Sequence, residues 1–369
     1  MGFCVMRIGP HLLLCLSLTL LASLAAQAED KHPEPKSFTL IAAGPADAET
    51  ALAAEMVSLL PNEARNRVSV ARGDAGFNNI IQLLSDPKTG AAFVSTDALA
   101  YAKDANLGGN LQERLALVAR LAPQEVHVVA RRNIARLGDL AGQKVGVGPS
   151  GSSSAVTAAS VFAALNIAVD PVALDTERAM AMLKRGEIAA LVSVGGKPLS
   201  FMAALQADAA DLHLLAIPFS PALQNSYLPA RFEHSDYPGL VESEVEVPTI
   251  ATGLLLLASR DRDGPAYGAW LQFFIESFFS GFGTLEKRDR HPKWREVNLA
   301  AAYPGFARAE PADAWLHKEP VALQDAAEKG PDANLATTAP ALPASVSMSE
   351  DQKKALFQEF IEWRRARQH

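Results

Sequence analysis

The sequence has little cysteine and too little positive charge for a nucleic-acid-binding protein. Its two cysteines, Cys4 and Cys15, both lie in the first 28 of 369 residues. The remaining chain therefore has no thiol or disulfide chemistry. Lysine and arginine number 34 against 41 acidic residues, a net charge of −7. This balance argues against nucleic acid as a partner, because neutralising phosphates requires a basic surface.

Long apolar runs are absent after residue 28, which leaves no predicted membrane span. Before that point, Arg7 precedes the apolar run Leu12–Leu24 and the small-residue pattern Ala26–Ala28. These features predict a cleavable secretory signal peptide over residues 1–28 and a location in the periplasm. Cleavage before Glu29 would leave 341 residues with a net charge of −8.

From Ser37 onward, short β-like runs alternate with helical patterns, which is typical of parallel α/β architecture. The stretch Leu115–Arg131 is apolar but contains Pro123 followed by Gln124, and it predicts two strands. A second βα series starts at Lys144. The strongly apolar helix that follows residue 264 carries four phenylalanines that are expected in a core, namely Phe273, Phe274, Phe278 and Phe279.

The length and the two βα series predict two lobes. Lobe one comprises residues 37–130 plus 248–317, lobe two comprises 131–247, and the chain crosses between them near Arg132 and Val247. Residues 318–348 are rich in alanine and proline and are expected to form a linker. Residues 349–369 begin with a capping box and predict an amphipathic helix.

The segment from Lys144 to Ser154, KVGVGPSGSSS, carries the most chemical information. A strand runs through a glycine-rich turn into a helix, so free amides, hydroxyls and the helix dipole favour an anion. Gly146, Gly148 and Gly151 also satisfy the dinucleotide pattern G-x-G-x-x-G. A capped helix without any ligand is a further alternative.

Other candidate ligand groups follow predicted strands, where open α/β sheets bind ligands. Ser95 and Thr96 end one strand, and Gly196 and Lys197 end another. Lys197 supplies a compact positive charge or is simply a surface lysine. Arg72 could hold a carboxylate through two hydrogen bonds or be solvated.

Signatures of catalysis and of metal binding are missing. The segment Gly148–Ser152 lacks the last glycine of a G-x-S-x-G elbow, which makes Ser150 a poor nucleophile. The histidines, His127 among them, have no metal-binding spacing, and most of these polar residues are interpreted as surface features. We therefore expect neither an enzyme nor a bound cofactor or metal.

In their order and spacing, several segments resemble the TAXI subfamily of solute-binding proteins of TRAP transporters, over about residues 37 to 290. The matching segments are Phe77–Leu84, Ala91–Ala98, Val126–Val129, Leu137–Gly148, Ser150–Ser152, Leu183–Ala190 and Gly195–Pro198. The resemblance implies a type II periplasmic binding protein fold, with a C-terminal linker and helix in this chain. It also implies capture of a small carboxylate, an amino acid or a C4 to C5 dicarboxylate, and delivery to a TRAP-type permease.

On this interpretation the protein is a monomer whose lobes close over the ligand. Ser150, Gly151, Ser152 and Ser153 would hold one carboxylate, and Ser95, Thr96 and Gly196 would contribute from nearby strand ends, with Arg72 and Lys197 as charge partners. Asp47 departs from the family pattern, because an acid in the first turn should repel a carboxylate unless it caps the helix. Two alternatives are a dinucleotide-dependent oxidoreductase built on the three glycines, and a sensor or scaffold that acts through its terminal helix.

Overall fold

The structure is a computed structural model, and it describes residues 37–42, 47–205, 211–262 and 264–318. The predicted signal peptide, the linker and the terminal helix lie outside these residues. The strands are β1 (Phe38–Ile41), β2 (Val68–Ala71), β3 (Thr89–Ser95), β4 (Leu115–Arg131), β5 (Lys144–Gly146), β6 (Asp170–Val172), β7 (Ala190–Gly195), β8 (Leu212–Leu214), β9 (Leu228–Phe232) and β10 (Val247–Ser259). The α-helices are α1 (Asp47–Ser58), α2 (Asn62–Arg65), α3 (Phe77–Ser85), α4 (Thr96–Asp104), α5 (Leu111–Arg114), α6 (Ser153–Ala164), α7 (Thr176–Arg185), α8 (Ser200–Leu205), α9 (Pro265–Leu285) and α10 (Glu310–Lys318).

The strands form one mixed sheet with the order β2-β1-β3-β10-β4-β7-β5-β6, while β8 pairs with β4 and β9 with β10. Neighbours β2, β1 and β3 are parallel, and so are β6, β5 and β7. Helices alternate with these strands along the chain, as the pattern of apolar residues predicted. The prediction of an α/β fold is confirmed.

Two long antiparallel strands, β4 and β10, lie next to each other in the middle of this sheet and pair with strands on both sides. Residues 254–258 of β10 pair with β3, whereas residues 247–251 pair with β9. Likewise, β4 pairs with β7 only from Glu125 onward. We call the sheet around β1, β2 and β3 the first half-sheet, and the sheet around β5, β6 and β7 the second half-sheet. Pairing partners change within the two strands, at residues 122–124 and 252–253.

The prediction of two strands over Leu115–Arg131 is wrong, because β4 is continuous through Pro123. Thr252 pairs with Gln124 and Leu254 with Leu121, so one extra residue of β4 is accommodated as a bulge. A proline is tolerated where a bulge removes the need for its missing N–H. The proline therefore marks the place where the strand changes partners.

Each half-sheet is covered by its own apolar cluster. The first half-sheet packs against α1 and α9 through Leu40, Met56 and Phe274, all with no exposed surface. The second packs against α6 through Val145 and Phe162. Of the four phenylalanines expected in the core, Phe274, Phe278 and Phe279 are buried, but Phe273 is 39% exposed because it lies on the outer face of α9.

Among the helices of the described ranges, none combines the length and the apolarity required to cross a bilayer.

Candidate functional site

The carboxyl ends of the parallel strands in the two half-sheets approach one another. Ser95 ends β3 beside the end of β1, and the turns after β5 and β7 lie on neighbouring strands of the second half-sheet. Ligands of open α/β sheets bind at such carboxyl edges, where loops and helix N-termini present polar groups. The candidate site is the region where these two edges meet.

The serine-rich turn before α6 contacts the loop before α3 directly. The backbone N–H of Ser153 donates to the carbonyl of Asp74 over 2.9 Å, and Phe77 N–H donates to the carbonyl of Gly151 over 2.8 Å. A Cβ on Gly76 would lie 2.0 Å from the oxygen of Gly151, so only glycine allows this approach. The predicted anion turn is therefore bound to backbone of the facing half-sheet.

A hydrogen bond within the turn also caps the N-terminus of α6. Ser152 is the N-cap, and its hydroxyl accepts from the backbone N–H of Ala155 over 3.2 Å. Gly148 and Gly151 have φ values of +84° and +77°, which glycine adopts without strain. Ser152 and Ser153 are both buried.

The turn after β7 binds two carboxylates that belong to the protein itself. Gly196 N–H donates to Glu49 Oε1 over 2.7 Å, and Lys197 N–H donates to Glu125 Oε2 over 2.9 Å. Glu49 lies in the first turn of α1 and Glu125 lies in β4, just beyond the bulge. Both carboxylates are buried, so the two amides form a carboxylate-binding turn.

Lys293 supplies the positive charge beside this turn. Its ammonium lies 2.6 Å from Glu125 Oε1 and 2.7 Å from Glu296 Oε2, and its side chain is 1% exposed. A Cβ on Gly196 would lie 3.2 Å from Lys293 Cγ, which shows how closely the lysine stem packs on the turn. Lys293 belongs to a short 3₁₀ segment, Pro292–Glu296, that follows α9.

Burial changes the ionisation of these groups. Desolvation raises the pKa of Glu49 to about 7, although the hydrogen bond from Gly196 opposes this rise. Desolvation also raises the pKa of Glu125, against the attraction of Lys293. Burial by itself would lower the pKa of Lys293, but Glu125 and Glu296 raise it above its ordinary value. The site therefore contains a charged pair, Lys293 with Glu125, and one carboxyl that titrates near neutral pH.

Asp97 forms a second link between the half-sheets. Its carboxylate accepts hydrogen bonds from the hydroxyls of Thr157, Tyr227 and Thr252, the last over 3.1 Å. Thr157 lies in α6, and Thr252 lies in β10 where the strand changes partners. Asp97 is 8% exposed, so its charge is stabilised by these hydroxyls rather than by water.

His127 lies in β4, two residues after Glu125, and is completely buried, so it is an exception to the expectation that most of these polar residues are surface features. Its Nε2 is 2.8 Å from the hydroxyl of Tyr237, which accepts from Leu199 N–H over 2.8 Å. Desolvation lowers the pKa of His127 to about 3, so the ring is neutral. It is a structural hydrogen-bonding group that holds the segment after Lys197.

The remaining predicted site residues occupy different places. Thr96 Oγ1 lies 3.1 Å from Thr252 Oγ1 and accepts from Gly253 N–H, whereas Ser95 is buried at the end of β3. The ammonium of Lys197 points away from the site, 2.9 Å from Asp236 Oδ2. Arg72 is exposed after β2. The structure thus brings Gly196 and the serine-rich turn to the meeting edges. The ammonium of Lys197 forms its ion pair with Asp236, away from these edges.

Sequence reasoning missed the buried charges at this site: Glu49, Asp97, Glu125 and Lys293. Each looks like an ordinary surface charge in the sequence, and Glu125 pairs with Lys293 across 168 positions. The one available signal is Glu125, an acidic residue two positions after the proline in a largely apolar strand.

A cavity of about 280 Å³ lies elsewhere, near the start of β5, and Arg131, Lys144 and Glu187 are among the residues that line it. It contains none of the predicted site residues. Within the described ranges, no group of three histidine, cysteine or acidic side chains could hold a metal ion.

Comparison with known proteins gave a match to a family model and to solved structures. The model of the NMT1-like family matches residues 49–264. The alkanesulfonate-binding protein SsuA from Xanthomonas axonopodis pv. citri bound to MOPS is similar at 17% identity, a TM-score of 0.44, and coverage of 90% of this chain and 94% of that chain. MatC from Rhodopseudomonas palustris with bound malate is similar at 16% identity, a TM-score of 0.44, and coverage of 79% and 98%. No curated protein sequence matches.

Proposed function

We propose that this chain, which belongs to the NMT1-like family, is an extracytoplasmic solute-binding protein. It captures a small carboxylate between two lobes. The lobes are residues 37–130 plus 248–317 and residues 131–247, and they follow the two half-sheets except that residues 125–130 pair with β7 of the second half-sheet. The ligand is an amino acid or a C4 to C5 dicarboxylate, and a TRAP-type membrane permease receives it. The protein is not an enzyme on this proposal.

One observation carries this proposal, the binding of carboxylates by the turn after β7. The amides of Gly196 and Lys197 each hold a carboxylate oxygen, at 2.7 and 2.9 Å. An incoming carboxylate that replaces Glu49 would find the same amide and the nearby Lys293 already in position. A site arranged in advance lowers the ordering cost of binding.

Opening and closing of the two half-sheets would let the ligand enter. The contacts that hold the edges together include hydrogen bonds, such as Ser153 to Asp74 and Gly196 to Glu49, and the packing of Val156 in α6 against the first half-sheet. The strands β4 and β10 connect the half-sheets at residues 122–124 and 252–253, where pairing changes. Bending there would separate the edges and expose Val156 of α6, while the clusters around Phe274 and around Phe162 stay intact.

Calorimetry and thermal-shift measurements on purified residues 29–369 test the proposal. The panel contains succinate, glutarate, aspartate, glutamate, taurine and NAD. We expect saturable one-site binding of a carboxylate and a rise in Tm with it. A rise with NAD alone would support the oxidoreductase instead, and no response to any carboxylate would contradict the proposal.

A matched pair of variants localises the binding. Gly196→Ala places a methyl group 3.2 Å from Lys293 Cγ and 3.6 Å from Glu49 Oε1, beside the amide that would bind the ligand carboxylate. We expect it to weaken binding about tenfold or more, a loss of about 1.4 kcal/mol. Gly138→Ala is the control, because nothing lies within 4 Å of its added Cβ.

Export is tested separately. N-terminal sequencing of the protein released by osmotic shock should begin at Glu29, whereas retention of the first 28 residues in the cytoplasm would contradict periplasmic location.

A further inference from the structure

Two buried polar atoms near the meeting edges have no hydrogen-bond partner in the described part of the chain. Ser95 Oγ is one, and Ser95 has no exposed surface. Asn78 Oδ1 is the other, in a residue that is 8% exposed. Buried polar atoms are nearly always paired, so two unpaired atoms in one region require an explanation.

Ser95 is unusual in a second respect. It is the N-cap of α4, with extended backbone angles of −73° and 147°, yet its hydroxyl makes no capping bond. Serine at this position normally accepts from an amide of the first helical turn, as Ser152 does at the start of α6. The hydroxyl of Ser95 is therefore left available by the fold.

The two residues are connected through the loop before α3. Ser95 N–H donates to the carbonyl of Ala75 over 2.8 Å, which connects the end of β3 to the loop before α3. The amide group of Asn78 donates to Asp74 and, over 3.4 Å, to the carbonyl of Ser150 in the facing half-sheet. Both residues therefore contact the loop at residues 74–76, where the two half-sheets meet.

The unpaired oxygen of Asn78 makes this side of the site a hydrogen-bond acceptor. The amide hydrogens of Asn78 are already directed to oxygen atoms, so its free Oδ1 can only accept. Ser95 Oγ can donate or accept. Asp97, two positions after Ser95, is bound by hydroxyl groups. A ligand group that contacts Asn78 Oδ1 needs an O–H or N–H to donate, whereas the turn at Gly196 needs an acceptor.

We propose that Ser95 and Asn78 form a donor-recognising subsite, so that the ligand is a carboxylate bearing a hydroxyl or ammonium group, a hydroxy acid or an amino acid rather than an unsubstituted dicarboxylate. This inference rests on the proposed function. The ligand donor binds Asn78 Oδ1 and Ser95 Oγ, and the ligand carboxylate binds the turn after β7.

A matched set of ligands tests the subsite with the unmodified protein. Glutamate, 2-hydroxyglutarate and glutarate differ only in the group at one carbon, as do aspartate, malate and succinate. We expect calorimetry to show at least about tenfold tighter binding of an amino or hydroxy compound than of its unsubstituted counterpart. Equal affinity within each set would overturn the subsite and leave the proposed function standing. Binding of no compound would overturn both.

Ser95→Ala provides the second measurement. We expect it to reduce the preference for the substituted ligand to about twofold or less, mainly by weakening the binding of that ligand. Its ligand-free Tm should equal or exceed that of the unmodified protein, because the lost hydroxyl has no partner. A lower Tm with an unchanged preference would assign Ser95 to folding and overturn the proposal. Ser85→Ala, at the exposed end of α3, is the control and should change neither quantity.

Discussion

Replacement of Lys293 by methionine tests the buried ion pair beside the carboxylate-binding turn. Methionine keeps an aliphatic stem against Gly196 but removes the charge that lies 2.6 Å from Glu125 Oε1. Removing one partner of a buried pair costs about 3–5 kcal/mol, because the other charge is left unpaired. For a protein of this size each kcal/mol lowers Tm by about 2 °C, so we expect a loss of about 6–10 °C at pH 8.

The loss should depend on pH in a definite direction. Burial raises the pKa of Glu125 above its ordinary value of 4.5, and without Lys293 the pKa rises further. A carboxyl with a raised folded-state pKa is neutral in both states below the unfolded pKa, and its destabilisation grows as pH rises through the folded pKa. The Tm of Lys293→Met should therefore approach that of the unmodified protein as pH falls from 8 toward 5.

Two further variants make the measurement decisive. Adding Glu125→Gln to Lys293→Met should recover most of the lost Tm, because the unpaired charge is gone. Lys287→Met, at an exposed position after α9, should leave Tm unchanged. A Tm loss for Lys293→Met that stays the same between pH 5 and pH 8, or no loss at all, would refute the reasoning.

Two other substitutions have defined outcomes. Glu49→Gln should raise Tm at pH 8 and leave it unchanged at pH 5, because the carboxyl with a pKa of about 7 is increasingly destabilising as pH rises from about 4.5 through 7, while the amide still accepts from Gly196. Calorimetric scans that show a lower Tm at pH 8 would contradict this assignment. Gly76→Ala should separate the two edges, since its Cβ would lie 2.0 Å from the oxygen of Gly151, and small-angle scattering should show a larger radius of gyration. Gly138→Ala should leave the scattering curve unchanged, and a compact Gly76→Ala protein would count against the edges being in contact.

Much of the fold was predictable because it depends on local periodicity. Helix Thr176–Arg185 is specified locally, because Asp175 at its N-cap accepts from Arg178 N–H and Gly186 ends it in the left-handed conformation. Periodicity failed at Pro123, where the local preference of proline is overridden by the bulge that pairs β4 with β10.

The candidate site was less predictable, because its charges act over long separations in sequence. The glycine-rich turns were found from local motifs, since backbone amides and positive φ values leave a sequence signature. Nothing local distinguishes Lys293, which is buried, from Lys287, which is exposed. The prediction that Lys197 is a charge partner of the ligand depended on local sequence alone. The ammonium instead pairs with Asp236, which lies in a loop 39 positions away.

The protein's own acceptors already occupy the donors that the proposed ligand would use, and this has a thermodynamic consequence. Glu49 on Gly196 and the carbonyl of Asp74 on Ser153 N–H stabilise the closed arrangement without ligand. A ligand must first bind the open form, so its apparent affinity is reduced in proportion to the fraction of molecules that are open. Only the difference between the ligand's contacts and these internal contacts contributes to binding. An unsubstituted carboxylate would do little more than replace Glu49, whereas a ligand that also donates to Ser95 and Asn78 makes contacts for which the closed protein has no substitute.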